Sequence, residues 1–302
     1  MKILITGAAG QVGTELQRHL VGTAEAFAYT REQLPLDDPQ AIRRVMRSVK
    51  PDVVLNAAAY TAVDQAELDE AGANAVNGEA VAVMADEAAA SGALLIHYST
   101  DYVFDGLLSR PYRESDEVGP VNAYGRSKLL GEQALQASKA DWLCLRTSWV
   151  YGPHGKNFLL TMLRLMQERE QLRVVSDQFG SPTSSTMIAR STVLAMQAAL
   201  EERRLGRFKA EILHMTAAGS TSWHGFAVAI SERLRAAMPA KIQSIEAIPA
   251  SAYPLPARRP TNSRLDCSSF QNRFDCELPH WSTGLDEAFG SWLATGRASA
   301  SP

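Results

Sequence analysis

Three positions in the sequence carry groups that could serve acid–base chemistry at a carbonyl. Tyr124 and Lys128 stand four apart in Tyr124-Gly125-Arg126-Ser127-Lys128. On a helix that spacing puts both side chains on one face. A free phenol ionises at about 10 and is a poor proton carrier at neutral pH. A neighbouring ammonium favours the phenolate and draws its pKa down toward the working range. Thr100 stands near the end of the run Leu94-Leu95-Ile96-His97-Tyr98-Ser99-Thr100-Asp101, so its hydroxyl can stand at the same rim. Alone, a tyrosine and a lysine at this spacing also describe a solvated helix face.

The company they keep is a glycine-rich turn, Thr6-Gly7-Ala8-Ala9-Gly10-Gln11-Val12-Gly13. Gly7 permits a tight turn, Gly10 lets a pyrophosphate approach the backbone, and Gly13 lets the following helix pack on the sheet. The helix N-terminus then attracts the anion. An apolar run precedes the turn and a helical pattern follows it, which is the context a dinucleotide site requires. The next apolar run ends in Tyr29-Thr30-Arg31-Glu32. An acid there would bond the ribose of NAD, whereas an arginine accommodates the 2′-phosphate of NADP. Thr30 and Arg31 therefore predict NADPH as cofactor, with NADH as the alternative through Glu32.

Short apolar runs at Ile3–Ile5, Ala26–Ala28, Val53–Leu55, Leu94–Ile96 and Leu143–Leu145 must position these groups. They lack polar alternation, as strands covered on both faces do. Val12, Leu16 and Leu20 form one helical stripe between the first two, and Ile42, Val45, Met46 and Val49 form another. Asp38-Pro39 starts the second helix and Lys50-Pro51 ends it. The expected fold class is α/β, a Rossmann-type doubly wound parallel sheet with a smaller C-terminal substrate-binding lobe. Residues 1–175 are expected to form the dinucleotide domain, with a return strand near 210–217. Residues 176–290 would be mostly the lobe, and 297–302 a flexible tail. A helix is expected from Asn157 to Arg169, and strands at Arg173–Val175 and Ile212–Met215.

The chain has 302 residues, 46% hydrophobic and 21% charged, which excludes a disordered or fibrous class. With 30 basic against 33 acidic residues, nothing electrostatic points to nucleic acid or an anionic membrane. Cys144, Cys267 and Cys276 are too scattered for a disulfide framework. No run is long enough to span a bilayer, and Met1-Lys2 leads directly into the first strand; a cytoplasmic location is expected.

Several segments resemble the dTDP-4-dehydrorhamnose reductase branch of the extended short-chain dehydrogenase/reductases. They are Asn56-Ala57-Ala58-Ala59-Tyr60-Thr61-Ala62-Val63-Asp64-Gln65-Ala66-Glu67, Ser99-Thr100-Asp101-Tyr102-Val103-Phe104-Asp105-Gly106 and Arg146-Thr147-Ser148-Trp149-Val150-Tyr151-Gly152. Asp177-Gln178-Phe179-Gly180-Ser181-Pro182-Thr183 and Ala257-Arg258-Arg259-Pro260, with Asn262-Ser263 and Leu265-Asp266, extend the likeness over about Met1 to Leu285. The resemblance implies Thr100, Tyr124 and Lys128 as the catalytic set. It implies Gly10, Gln11, Val12, Ala57, Ala58 and Ala59 along the cofactor. Thr61, Val63, Thr100, Asp101 and Trp149 would surround the sugar, and Gln178, Pro182, Thr183, Arg258 and Arg259 would lie toward the nucleotide. Pro35 stands where the branch commonly has an aspartate contacting the adenosine, which leaves Asp37 or Asp38 for that contact, unless Asp38 only caps its helix. Some members bind Mg²⁺ at a homodimer contact through the acid matching Glu15.

The implied activity is reduction of the 4-keto group of a dTDP-sugar. Another keto-sugar nucleotide reductase or epimerase, or a non-catalytic subunit like the beta subunit of methionine adenosyltransferase, remain alternatives. So do plainer readings: Trp149 as core, Gln178–Thr183 as an ordinary turn, Arg258 and Arg259 as a surface pair, Glu15 as a helix glutamate, and His97 as a satisfied core histidine.

Overall fold

The computed structural model describes residues 1–298. β1 (Lys2–Thr6) runs through the glycine turn into α1 (Gln11–Leu20), and β2 (Glu25–Tyr29) follows. α2 (Pro39–Val49) starts as expected: the Asp38 carboxylate accepts from the Gln40 amide at 2.8 Å and proline holds the first position. β3 (Val53–Asn56) leads through two short helices, α3 (Val63–Ala66) and α4 (Glu70–Asn74), into a π-helical turn over Ala75–Glu79. That turn continues as α5 (Ala80–Ser91), then β4 (Leu94–Thr100), α6 (Ala123–Ala137) and β5 (Asp141–Thr147).

Beyond β5 come β6 (Val150–Tyr151), α7 (Phe158–Glu168), β7 (Gln171–Val175), β8 (Phe179–Gly180) and β9 (Thr183–Ser184). α8 (Ser185–Arg204), β10 (Glu211–His214), β11 (Thr221–Ser222) and α9 (Trp223–Ala237) follow. β12 (Ser244–Ile248), α10 (Ser268–Phe274) and α11 (Trp281–Ala298) complete the order. Of the tail expected from Arg297, α11 takes in the first two positions, and residues 299–302 lie outside the described residues.

Six parallel strands form the central sheet in the order β10–β5–β4–β3–β1–β2. β10 is the return strand expected near 210–217. Because side chains alternate along a strand, Ile3 and Ile5 face one layer and Leu4 the other. Ile3 and Ile5 pack with Leu16 and Leu20 of α1, Ile188 and Met196 of α8, and Phe270 of α10. Leu4 packs with Ile42 and Met46 of α2 and Met84 of α5. The chain leaves β1 for β2 on one side and returns to β3 on the other, which makes β1/β3 the switch point where such sheets bind ligands.

A separate apolar core gathers Leu159 and Leu163 of α7, Leu172 and Val174 of β7, Phe226 and Ile230 of α9, and Leu285 of α11. β7, expected in the larger unit, pairs with β12 in parallel rather than with the central sheet.

Candidate active site

The glycine turn and the segment after β3 face each other across the switch point. Gly7 adopts φ +67°, and a Cβ there would come within 2.8 Å of the Ala58 backbone, so the close approach of these two loops requires glycine. α1 begins at Gly10 with no side-chain cap, which leaves its first N–H groups free for an anion. Gly13 does not line the cleft; a Cβ there would sit 2.2 Å from the Gly7 carbonyl, so this glycine serves helix-to-turn packing. The Asn157 amide donates to Gln11 Oε1 at 2.8 Å and draws the loop before α7 over the first turn of α1.

Between these loops opens a cleft of about 690 Å³. Gly7, Gly10, Gln11, Val12, Arg31, Asp37, Ala57, Ala58 and Ala59 line it. So do Thr61, Val63, Thr100, Asp101, Tyr124, Lys128 and Trp149. The sequence thus brings its cofactor, acid–base and sugar-facing candidates to one cavity. Thr30 is not in the wall, and the Glu32 carboxylate is turned to it by a hydrogen bond. Asp38 is spent on its cap, and Asp37 is the one of the two aspartates that lines the cleft.

Gln178, Pro182, Thr183, Arg258 and Arg259 stand outside this cleft wall. Thr183 is fully buried, donating to the Ser181 carbonyl at 2.9 Å and accepting from the Ala217 amide at 3.2 Å. Arg259 grips both Asp64 oxygens, at 2.7 and 3.0 Å, and Asp64 also accepts from the Ala257 amide. That pair straps residues 257–259 onto α3 beside the cleft. Arg258 is exposed.

Lys156, Tyr98, Ser99, Tyr102 and Trp223 also line the cleft, and sequence reasoning did not select them. Trp223 stacks on Trp149 with centroids 3.5 Å apart and planes 5° from parallel. Trp149 holds φ +48°, a strained conformation for a bulky residue, and Gly180 leaves the room its indole fills. No sequence signal links residues this far apart.

Asn122 caps α6, accepting from the Gly125 amide at 2.8 Å, and so fixes the turn that carries Tyr124. Further along, Glu132 holds Arg146 of β5 at 2.6 and 2.8 Å and accepts from Ser99 of β4 at 2.5 Å. This buried cluster fixes the register of α6 against the sheet. Asn77, in the π-helical turn, bonds both backbone groups of Tyr60 and the Ser127 hydroxyl. It thereby ties the loop after β3 to α6.

The electrostatics differ from the expectation that Lys128 lowers Tyr124. Burial, with the Asp101 charge adding to it, pushes the Tyr124 phenol above its ordinary value, while a hydrogen bond with Thr100 works the other way. Lys128 is also buried, which lowers its ammonium to about 8. Its Nζ meets His97 Nε2 at 3.1 Å, and no direct hydrogen bond joins it to Tyr124 among the described residues.

Asp101 accepts from the Thr100 hydroxyl at 3.0 Å through Oδ1, and its buried Oδ2 has no hydrogen-bond partner of good geometry among the described residues, Ser263 lying near the carboxyl. Burial raises this carboxyl to about 7. The folded state therefore binds the proton more tightly than the unfolded chain, and stability falls as pH rises from about 4 through 7. Asp101→Asn should raise the melting temperature at pH 8, with a difference on the order of a few kcal/mol. The gap should close toward pH 4. Thermal scans across that range check this, and a gap independent of pH would contradict it.

Within one chain, the Glu15 position does not by itself supply a Mg²⁺ site. Its carboxylate is nearly buried, 2.7 Å from Arg18 Nη1 and 3.8 Å from His154 Nδ1. No group of three metal-ligating side chains occurs among the described residues. A hard cation needs several oxygen ligands, and one carboxylate already paired with a guanidinium does not supply them. No described helix is long and apolar enough to cross a membrane.

The dTDP-4-dehydrorhamnose reductase of Burkholderia thailandensis is 53% identical over 284 residues, spanning 93% of this chain and 95% of that protein. The enzyme of the same name from Escherichia coli K12 is 42% identical over 98% of this chain and 99% of its own length. Among solved structures, a dTDP-4-dehydrorhamnose reductase of Clostridium acetobutylicum superposes with TM-score 0.87 at 34% identity, covering 97% of this chain and all of that one. Another of that name, from Bacillus anthracis and in complex with NADP, gives 0.86 at 30% identity, covering 96% and 99%. The family model described as the RmlD substrate binding domain matches residues 1–293, and with relatives this similar over nearly their whole length, the chain belongs to that family.

Proposed function

We propose that the chain reduces the 4-keto group of dTDP-4-dehydro-6-deoxy-L-mannose (dTDP-4-dehydro-L-rhamnose) to give dTDP-L-rhamnose. One observation carries this reading: Thr100, Asp101, Tyr124 and Lys128 share one cavity with a phosphate-ready helix start. The names of the relatives supply the substrate, and the NADP-bound relative supports a nicotinamide cofactor. When bound, that cofactor supplies hydride to the ketone carbon. Tyr124 gives its phenolic proton to the oxygen that gains charge. Its raised pKa keeps the proton in place at neutral pH, the form a donor must have. Thr100 bonds the substrate oxygen and Tyr124, and the Lys128 ammonium stabilises negative charge at this end and holds the nicotinamide ribose.

The larger sheet unit takes the cofactor, through Gly7, Gly10, Gln11, Val12, Ala57, Ala58 and Ala59, with Asp37 at the adenosine. The smaller unit closes over the sugar through the Trp149–Trp223 wall, with Thr61 and Val63 opposite. Exposed Arg258, at the cleft's edge, is a cation for the diphosphate, since Arg matches phosphate geometry and Arg259 is committed to Asp64. The test is NADPH consumption with the dTDP-4-keto sugar and NMR of the product. A rhamno-configured sugar supports the reading; no turnover by folded protein overturns it.

Arg31 lines the cleft and has no carboxylate within ion-pair distance among the described residues. A charge-assisted hydrogen bond to a 2′-phosphate is roughly twice as strong as a neutral one. NADPH should be preferred, and Arg31→Ala should raise the NADPH KM while sparing NADH. Steady-state kinetics with both cofactors decide it: equal efficiency in wild type, unchanged on substitution, would remove Arg31 from cofactor choice.

A further inference from the structure

The buried partner of Lys128 is the end of a side-chain row running beneath the switch point. Thr6, Asn56 and His97 occupy adjacent register positions on β1, β3 and β4. The Ala58 amide donates to Thr6 Oγ1 at 3.2 Å, and Thr6 Oγ1 lies 2.6 Å from Asn56 Oδ1. Asn56 Nδ2 lies 2.9 Å from His97 Nδ1, and His97 Nε2 lies 3.1 Å from Lys128 Nζ. His97 is fully buried, and burial with the Lys128 charge beside it keeps the ring neutral. A neutral imidazole has one N–H. With Asn56 Nδ2 toward Nδ1, the ring proton sits on Nε2 and suits a lysine amine. With the amide turned over, the proton sits on Nδ1 and Nε2 accepts from the ammonium.

The other charged or titratable groups facing this pair are Glu132 of α6 and Cys144 and Arg146 of β5. Glu132 is committed to Arg146 and Ser99, so His97 is the one hydrogen-bond partner of Lys128 among the described residues. We propose that His97 is a positioning residue: steered by Asn56, its neutral ring holds Lys128 Nζ at the cleft and sets how readily that nitrogen carries charge. The proposal rests on the reading of Lys128 as a member of the acid–base set.

A buried ammonium needs an acceptor and His97 is its one partner among the described residues, so the Asn56 amide is turned over, with Thr6 Oγ1 accepting from Asn56 Nδ2, His97 Nδ1 donating to Asn56 Oδ1 and Nε2 accepting from Nζ. Removing that acceptor disfavours the charged form, whereas a carboxylate behind the imidazole favours it. The basic limb of kcat/KM, where activity falls as Lys128 loses its proton, should therefore move to lower pH in His97→Leu by about one unit. It should stay near wild type in His97→Gln, whose amide oxygen can reach Nζ, and move to higher pH in Asn56→Asp. The Lys128 Cε resonance in ¹³C-lysine-labelled protein, titrated without cofactor, should shift in the same order. A merely structural histidine would not give opposite signs at two positions. If folded His97→Leu keeps both the limb and the lysine titration within about 0.3 unit of wild type, the proposal fails. Should His97→Leu not fold, an Asn56→Asp limb that is unmoved or lowered overturns it equally. Lys128→Met separates the two claims: full turnover in that variant defeats the reading of Lys128, whereas lost turnover with inert His97 and Asn56 variants defeats only the role of His97.

Discussion

Tyr124→Phe should lower kcat by about 10²–10⁴, the range general acid catalysis contributes. The phenol lines the cleft together with Thr100 and Lys128 and shares a hydrogen bond with Thr100. The variant keeps the ring, which packs edge-on against Tyr102 with centroids 5.7 Å apart, so the wall survives. Cofactor affinity should therefore stay near wild type while turnover collapses, and the loss should appear in kcat rather than in KM for the sugar nucleotide. The check is a pair of measurements on one preparation: NADPH titration by fluorescence and steady-state reduction. Turnover within about threefold of wild type would take Tyr124 out of the proton transfer.

Gly10→Val should lose NADPH without losing the fold. Gly10 is exposed to the cleft, with φ −77° and ψ 167°, extended angles that a β-branched residue adopts freely. A Cβ there would sit 3.1 Å from the Gly7 carbonyl, a tight contact that a small shift relieves. The valine methyls would stand where a pyrophosphate must meet the first N–H groups of α1. The NADPH Kd should rise by at least about tenfold, or ~1.4 kcal/mol, at a nearly unchanged melting temperature. Gly13→Val is the contrast: its Cβ would lie 2.2 Å from the same carbonyl, so the turn itself must break and the melting temperature should drop. Normal NADPH binding by folded Gly10→Val would show that the phosphates do not rest on this turn.

What the sequence discloses here is what is encoded locally. The five core strands, the Asp38-Pro39 helix start, the glycine turn and the Tyr124/Lys128 face each depend on a few adjacent residues. Their chemistry holds wherever the segment is placed. Linkages across the fold stayed hidden. His97 reads as a satisfied core histidine, and it is satisfied, but by Lys128 on a different element. The same holds for Asp64 and Arg259, each in a motif of its own with nothing to show that they pair. The expectation that Lys128 lowers Tyr124 came from spacing alone. Spacing carries no information about burial, and burial dominates both groups. The second core was illegible for a related reason: α7 and β7 are local features, but their pairing with β12 and α9 is not.

The Trp149–Trp223 stack has an optical consequence. Two parallel indoles with centroids 3.5 Å apart exchange excitation and absorb as a coupled pair. Phe158 lies 4.7 Å behind Trp223, and Phe226 and Trp281 continue the aromatic series into the second core. The cleft wall is therefore one end of a built-in chromophore anchored in both halves of the molecule. Any displacement of one indole over the other alters the near-ultraviolet circular dichroism of the pair, so a ligand that shifts either ring can be followed in unlabelled protein.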